Sequence, residues 1–343
     1  MRPLVSILIP AYNAEKWVAD TIRSAAAQSW QRKEIIVVDD GSSDRTLEIA
    51  RQFESRAVLV VRQENQGAAA ARNKAFSLSR GDYIQWMDAD DLLAPDKIAR
   101  QMETLDAGVS RRTLLSSSWG HFMYRPYRAR FTPTSLWCDL SPLEFLLRKL
   151  GQRVFMQTAV WLVSRELADC AGPWDTKLSL DDDGEYFSRV LIASHGVRFV
   201  REARIFYRLV GTRSLSYIGR SNGKLESLWR SMRLQIGYLR SLEDSERVKT
   251  ACLRYLQSYV IDFYPQKPDI LEQMNQAAEE LGGQLEVPRL PWKYSWIRAA
   301  FGWDWAQRAR QLLPTVKSSL ARFWDKTVFR IEGRGIARTN WGV

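Results

Sequence analysis

Four short apolar runs, each trailed by a helical pattern, fill the first hundred residues and leave this chain few folds to choose from. Val5 to Ile9 is continuously apolar and rich in β-branched residues, as a strand covered on both faces must be. Pro10 stops it, and Glu15 to Ser29 then carries Trp17, Ile22 and Ala25 on one helical side. Glu34 to Val38, Val58 to Val61 and Tyr83 to Met87 repeat the buried-strand pattern. Ser42, Ser43 and Asp44 open a helix after the second run, Gly67 to Leu78 is an Ala-rich helix, and Pro95 to Leu105 is closed by Gly108. Strict alternation of this kind predicts an α/β fold with a mostly parallel, doubly wound, Rossmann-like sheet and right-handed crossovers.

Ligands of such sheets bind beyond the C-terminal ends of the strands, and polar residues gather there. Tyr12-Asn13 follows the first strand, Asp39-Asp40 the second, and Asp88, Asp90 and Asp91 the fourth. Three carboxylates within four positions repel one another, and a divalent cation with oxygen ligands relieves that repulsion. The competing reading makes Asp91 the cap of the helix that Pro95 opens. No G-x-G-x-x-G follows the first strand, which argues against a dinucleotide-binding domain.

Composition narrows the chemistry. At 343 residues, one large core with an appendage is expected. Two histidines and three scattered cysteines nearly exclude Cys/His zinc sites and a disulfide framework, and a reducing compartment fits. The N-terminal apolar run is too short for a secretory signal, and no stretch approaches the roughly 18 apolar residues of a membrane span. The chain is therefore expected in the cytoplasm. Its net charge of +11 is uneven: Trp292 to Val343 holds ten Lys/Arg against three Asp/Glu. Such a tail suggests an anionic partner.

Taken together, Val5-Ser6-Ile7-Leu8-Ile9-Pro10-Ala11-Tyr12-Asn13, Glu34 to Asp44 with Asp39-Asp40-Gly41-Ser42-Ser43, Asn65-Gln66-Gly67 with Ala71-Arg72-Asn73, and Met87-Asp88-Ala89-Asp90-Asp91 resemble the family-2 inverting glycosyltransferases of the GT-A fold. The resemblance implies a nucleotide-diphosphate sugar donor, commonly UDP-linked, bound around Pro10, Tyr12 and Asn13. Tyr12 would lie against the base, Asp40 would accept from its imide N–H, and Asp39 would support the loop. Arg72 would reach the base or the diphosphate. Asp90 and Asp91 would ligate Mg²⁺ or Mn²⁺, with Asp88 supporting them or touching the ribose. Such a metal neutralises the leaving diphosphate. Each residue also has a plain structural reading: Tyr12 as a cap on apolar strand, Asp39-Asp40 as a tight turn, and Arg72 as a solvated helix residue.

Further on, Gly172-Pro-Trp-Asp175 and Asp181-Asp182-Asp183-Gly184-Glu185 resemble the family segment that carries the catalytic acid. Its spacing from Arg189 implies Asp183 as general base and Asp182 as its acidic partner. Clustered acids have the raised pKa that a base needs, although a helix start favours acids without catalysis. Asp at 182, where Glu is more usual, and Gly at 184, where an aromatic residue is common, leave the register open by one. Arg208 and the Arg213-Ser214-Leu215-Ser216 stretch resemble the family's closing motif near the diphosphate; Arg208 could equally be an ion-pair partner for the acids.

The region 111–150 suggests marginal strands or loops, Phe155 to Ser164 is apolar, and Val197 to Val200 and Ile205 to Leu209 read as two short strands. After residue 217 helical stripes begin: Leu225, Leu228, Met232, Ile236 and Leu239, then Val248, Cys252, Leu256, Tyr259 and Phe263, then Ile270 to Leu281. The expected organisation is a catalytic domain over 1–217 (1–110 for the nucleotide, 111–217 for the acceptor), a helical extension over 218–291, and a basic, Trp-rich amphipathic segment over 292–343. That last segment, kinked at Pro314, is either an interfacial element for an anionic membrane through 292–330 or a helix packed on the protein. No nucleic-acid module is recognisable. The expected function is sugar transfer to a glycan or lipid-linked acceptor, peripherally at the inner face of the plasma membrane. Rival readings are a sugar nucleotidyltransferase and a non-catalytic nucleotide-sugar or membrane-surface binding module.

Overall fold

The computed structural model describes residues 2–211, 222–288 and 291–332. Its first elements are β1 (Val5–Ala11), α1 (Val18–Ala26), β2 (Lys33–Asp40), α2 (Thr46–Arg51), β3 (Val58–Gln63), α3 (Ala68–Leu78) and β4 (Tyr83–Trp86), alternating as the apolar runs require. β1 lies between β2 and β4 and is parallel to both, and β3 is parallel to β2. With helices over both faces, Val5, Ile7, Leu8 and Ile9 have no exposed surface, which is why β1 carries no alternation of polar and apolar positions.

The next elements are β5 (Leu92–Leu93), α4 (Lys97–Asp106), β6 (Thr113–Phe122), β7 (Arg130–Phe131), α5 (Pro142–Gln152), β8 (Val163–Ser164), α6 (Arg165–Ala171), α7 (Asp182–Ala193) and β9 (Gly196–Arg208). β8 closes the first sheet antiparallel to β4, giving the order β3-β2-β1-β4-β8. A second sheet, ordered β5-β9-β6-β7, adjoins it, with β6 and β9 parallel. This second sheet corrects two readings of the sequence. The region after Arg111 is not mostly marginal, because Thr113–Phe122 is a ten-residue strand. The two short strands expected after Gly196 are one, interrupted where pairing jumps from Val200 to Arg204 opposite Ser117 and Ser118. Arg201 and Glu202 sit in that bulge, and the Ser118 hydroxyl bonds the Arg201 carbonyl at 2.8 Å in place of the ladder.

Four helices complete the described chain: α8 (Asn222–Leu242), α9 (Glu246–Phe263), α10 (Pro268–Glu280) and α11 (Ser295–Glu332). Leu225, Leu228, Met232, Ile236 and Leu239 are buried together, as their spacing suggested. α11 breaks at Gly302 (φ 82°), a conformation that a residue without Cβ adopts freely, and helical dihedrals continue through position 314. The kink expected at Pro314 is therefore at Gly302. The Arg213–Ser216 stretch lies outside the described residues.

Candidate active site

The C-terminal ends of β1, β2 and β4 meet the N-terminus of α7, and most of the expected site residues sit along that edge, with Arg208 at the end of β9. At β1, Pro10 and Ala11 lead to Tyr12, half of whose surface is exposed. Asn13 is left-handed (φ 49°), a conformation Asn tolerates better than most residues. Its side-chain oxygen accepts from the Ser43 N–H at 2.9 Å, and its own N–H donates to the Ser42 hydroxyl at 3.0 Å. Asn13 thus ties the loops after β1 and β2 together.

Asp39 and Asp40 divide their work differently from expectation. Asp40 accepts from Gln63 Nε2 at 2.7 Å, the Gln66 N–H at 2.9 Å and the Gly67 N–H at 2.8 Å. It is the fastener of the loop that enters α3, the role assigned to Asp39. Asp39 accepts one bond from the Ser42 N–H at 3.2 Å, while its other carboxylate oxygen is buried with no hydrogen-bond partner among the described residues. Beside this edge Gly41, Arg62, Gln63, Glu64 and Asn65 line an open depression of about 560 Å³, within the size range of small-molecule sites.

After β4, the three acids of Asp88-Ala89-Asp90-Asp91 are not equivalent. Asp91 is fully buried; Gln157 Nε2 donates to one carboxylate oxygen and the Arg208 backbone N–H to the other at 2.8 Å. Burial and its two acidic neighbours push its carboxyl well above the ordinary range. With both oxygens engaged inside the protein, Asp91 does not fit the metal-ligand role expected of it. Asp88 and Asp90 remain at the cleft, both only partly buried. Burial, with Asp88 adding to it, pushes the Asp90 carboxyl up to about 7 despite the nearby Arg208 charge. Two hard-oxygen acids side by side in a partly dry cleft, one of which has its proton affinity raised by the other, are a fitting pair for Mg²⁺ or Mn²⁺. No group of three metal-ligating side chains converges among the described residues, so water and phosphate oxygens would complete the coordination, as Mg²⁺ commonly prefers.

Two arginines expected near the diphosphate are bonded to protein groups. Arg72, on α3 and 5% exposed, donates to Asp88 at 2.8 Å and to Asp182 at 2.6 Å. Its guanidinium also lies 4.3 Å from the Trp174 ring centre. Asn73 fixes that indole's backbone through both of its amide atoms, at 2.8 and 2.9 Å. Arg208 is buried under the metal loop: Nε donates to the Asp90 carbonyl at 2.8 Å, Asp20 is 3.8 Å away, and the rings of Trp17 and Phe122 lie 4.3 and 4.5 Å from its charge. Of its two sequence readings, the structural ion-pair partner is the one these contacts describe.

At the head of α7 the three consecutive acids also separate. Asp181 is left-handed (φ 58°) and turns toward α8, where Ser231 and Gln235 donate to it at 2.8 and 2.6 Å. A Cβ on residue 184 would collide with the Asp181 carboxylate, which explains the glycine where the family pattern favours an aromatic residue. Lys149 braces the turn from α5, donating to the Gly184 carbonyl at 2.9 Å and to Gln235 at 2.7 Å. Asp182 holds Arg72. Asp183 has weaker company: the Gly184 N–H at 2.9 Å and the Thr158 hydroxyl at 3.4 Å. Burial and the charges of Asp182 and Asp181 raise its carboxyl to about 7, against Arg72 and Lys149. A carboxyl poised there can take a proton near neutrality.

Sequence reasoning missed Gln157, Lys149 and Trp174. Gln157 left a trace, as a lone amide within the apolar run from Phe155 to Ser164. Trp174 lay inside the quoted Gly172-Pro-Trp-Asp175 turn without a role of its own, and Lys149 left no trace, since a helix lysine is common.

Comparison with known proteins agrees with this geometry. Residues 6–135 match the family model described as Glycosyl transferase family 2. The "Putative teichuronic acid biosynthesis glycosyltransferase TuaG" of Bacillus subtilis is 43% identical over 105 residues, 30% of this chain and 42% of that protein. The "Chondroitin synthase" of Escherichia coli is 42% identical over 98 residues, 28% of this chain and 14% of that protein. The matches thus span less than half the length of these relatives. In three dimensions, S. aureus TarS 1-349 in complex with UDP-GlcNAc aligns over 81% of this chain and 82% of its own, with a TM-score of 0.66 and 18% identity. The mannosyltransferase PcManGT of Pyrobaculum calidifontis, in complex with GDP-Man and Mn²⁺, covers 95% of this chain and 88% of its own, with a TM-score of 0.51 and 17% identity.

Proposed function

We propose that this chain, whose N-terminal domain belongs to glycosyl transferase family 2, moves a sugar from a nucleotide-diphosphate donor to a hydroxyl with inversion at the anomeric carbon. One observation carries the reading. Arg72 bonds both Asp88 and Asp182, so the acids at the end of β4 and the head of α7 share one guanidinium although 94 positions separate them. A leaving diphosphate and an acceptor base must lie on opposite sides of one sugar, and this clamp brings their candidate residues within a few ångströms.

In this mechanism Asp39, with its unpartnered oxygen, and Tyr12 receive the base, while Asn13 and Asp40 hold the loops around it. Asp88 and Asp90 would hold Mg²⁺ or Mn²⁺, which when bound offsets the negative charge of the leaving diphosphate. Asp183 accepts the proton of the attacking hydroxyl, and its carboxyl near 7 suits that role. Asp182 keeps Arg72 beside it, and Asp181 and Lys149 hold the turn in place. A UDP-linked donor is favoured by the UDP-GlcNAc bound in TarS, and assembly of a cell-surface glycan by the naming of TuaG.

The test is Asp183→Asn assayed two ways. Transfer, measured as UDP released from a panel of nucleotide sugars with acceptor, should fall by about 10³-fold or more. UDP binding with Mn²⁺, measured by calorimetry, should be nearly unaltered. Full turnover in the variant would remove Asp183 from the mechanism.

A further inference from the structure

α11 has one face docked and one face bare. On the docked face the Asp325 carboxylate accepts from the Tyr124 N–H at 2.9 Å and pairs with Arg125 at 2.7 Å. Arg322 donates to the Val210 carbonyl at 2.6 Å, Arg310 pairs with Asp262 at 3.0 Å, and the Phe329 ring meets Tyr124. On the other face Leu312, Leu313, Leu320, Phe323 and Trp324 are each 54–71% exposed. At ~100° per residue they fall within an arc of about 120°, so they form one stripe along the helix. Trp292, Trp296 and Phe301, before the break at Gly302, are bare as well.

Charge says what covers it. The segment from Trp292 to Val343 holds ten Lys/Arg and three Asp/Glu. Two of those acids, Asp325 and Glu332, are consumed by Arg125 on the docked side. Arg310 and Arg322 are spent on the docked side too, which leaves eight Lys/Arg against one Asp in the rest of the segment, where Arg298 and Arg330 are exposed. A second copy of the same stripe would bring like charge to like charge. An anionic surface would not. Nor is α11 a span: no helix among the described residues is long and apolar enough to cross a membrane.

We propose that α11 docks this protein on an anionic lipid bilayer, its aromatic and leucine stripe seated among the headgroups and its cations against lipid phosphates. The docked face fixes the orientation. Tyr124 and Arg125 follow β6, and Val210 follows β9, whose last residue Arg208 lies beneath Asp90. The mouth of the cleft is thereby held close to the lipid plane. Given the sugar-transfer reading, the acceptor hydroxyl is then one carried by a lipid.

The experiment uses the full chain and sedimentation with two kinds of vesicle: phosphatidylcholine alone, and phosphatidylcholine with phosphatidylglycerol in equal parts. The wild type should partition onto the anionic vesicles about tenfold more strongly, and added salt should weaken it. Replacing Leu320→Glu, Phe323→Glu and Trp324→Glu together should reduce that partition at least about tenfold. These side chains are exposed, so the urea midpoint and UDP affinity of the variant should stay at wild-type values, and loss of UDP binding in the wild type would count against the transferase reading alone. Equal partition onto both vesicles, no partition, or a variant that partitions like the wild type overturns the proposal. So does a lipid-free wild type that light scattering shows to be a dimer and that the same substitutions dissolve, since the stripe is then a seam between copies.

Discussion

Removing Arg72 breaks two charged hydrogen bonds at once and leaves two acids facing each other. Its guanidinium is 5% exposed and donates at 2.6 and 2.8 Å to Asp182 and Asp88. A hydrogen bond to a charged group contributes about 1.5–3 kcal/mol, so the pair is worth at most about 3–6 kcal/mol. Asp88 keeps 30% of its side-chain surface and Asp182 keeps 18%, so water screens part of this. Arg72→Met should therefore destabilise the fold by about 3 kcal/mol, and Asp182→Asn alone by about 1–2 kcal/mol. The double variant should cost little more than Arg72→Met, because an amide at 182 no longer needs the cation; the expected coupling is about 1.5 kcal/mol. The assay is urea unfolding at neutral pH, read from midpoints at constant slope. Additivity within about 0.5 kcal/mol would refute the shared clamp, and with it the link between the two halves of the site.

Two further outcomes follow from the acids. Asp183 acts deprotonated, so turnover should rise about tenfold per pH unit toward about 7 and level off above it; a flat profile across that range would exclude it as the base. The same raised carboxyl favours folding while it holds its proton and loses that contribution as pH climbs through about 7, so Asp183→Asn should unfold at higher urea than the wild type at alkaline pH. Asp90→Asn should abolish the Mn²⁺ dependence of UDP binding with the fold intact. Asp91→Asn should instead lower the unfolding free energy read from urea titration by about 1–3 kcal/mol, because its partners Gln157 and the Arg208 N–H are buried with it; the reverse pattern would restore Asp91 as the ligand.

The first sheet was legible because parallel strands buried on both faces leave apolar runs that polar strands do not, and Val5 to Ile9 or Glu34 to Val38 can be little else. The second sheet was not. β6 reads Thr-Leu-Leu-Ser-Ser-Ser-Trp-Gly-His-Phe, and the hydroxyls of Ser116 and Ser118 are satisfied by carbonyls of β9, some eighty residues away, which no local pattern reveals. The site divides in the same way. That acids cluster at strand ends was visible; which of them a distant residue would claim was not. Gln157 withdraws Asp91, Gln63 and the N–H groups of Gln66 and Gly67 occupy Asp40, and Ser231 and Gln235 turn Asp181 away from the cleft. Each of those partners is ordinary in composition and lies well outside the motif it completes. Arg72 is the sharpest case, since a donor able to reach a diphosphate is equally able to reach two carboxylates.

If α11 docks on a bilayer as proposed, the bond between Asp325 and Arg125 sets the unit in which an acceptor would be counted. A helix that rides on a bilayer and grips the rim of the cleft confines encounters to a plane. Acceptor supply would then be a mole fraction among lipids, not an amount per litre. Diluting the acceptor with inert lipid would slow transfer even while its bulk concentration stayed fixed, and breaking the grip of Asp325 would leave the protein on the surface with its cleft no longer aimed along it.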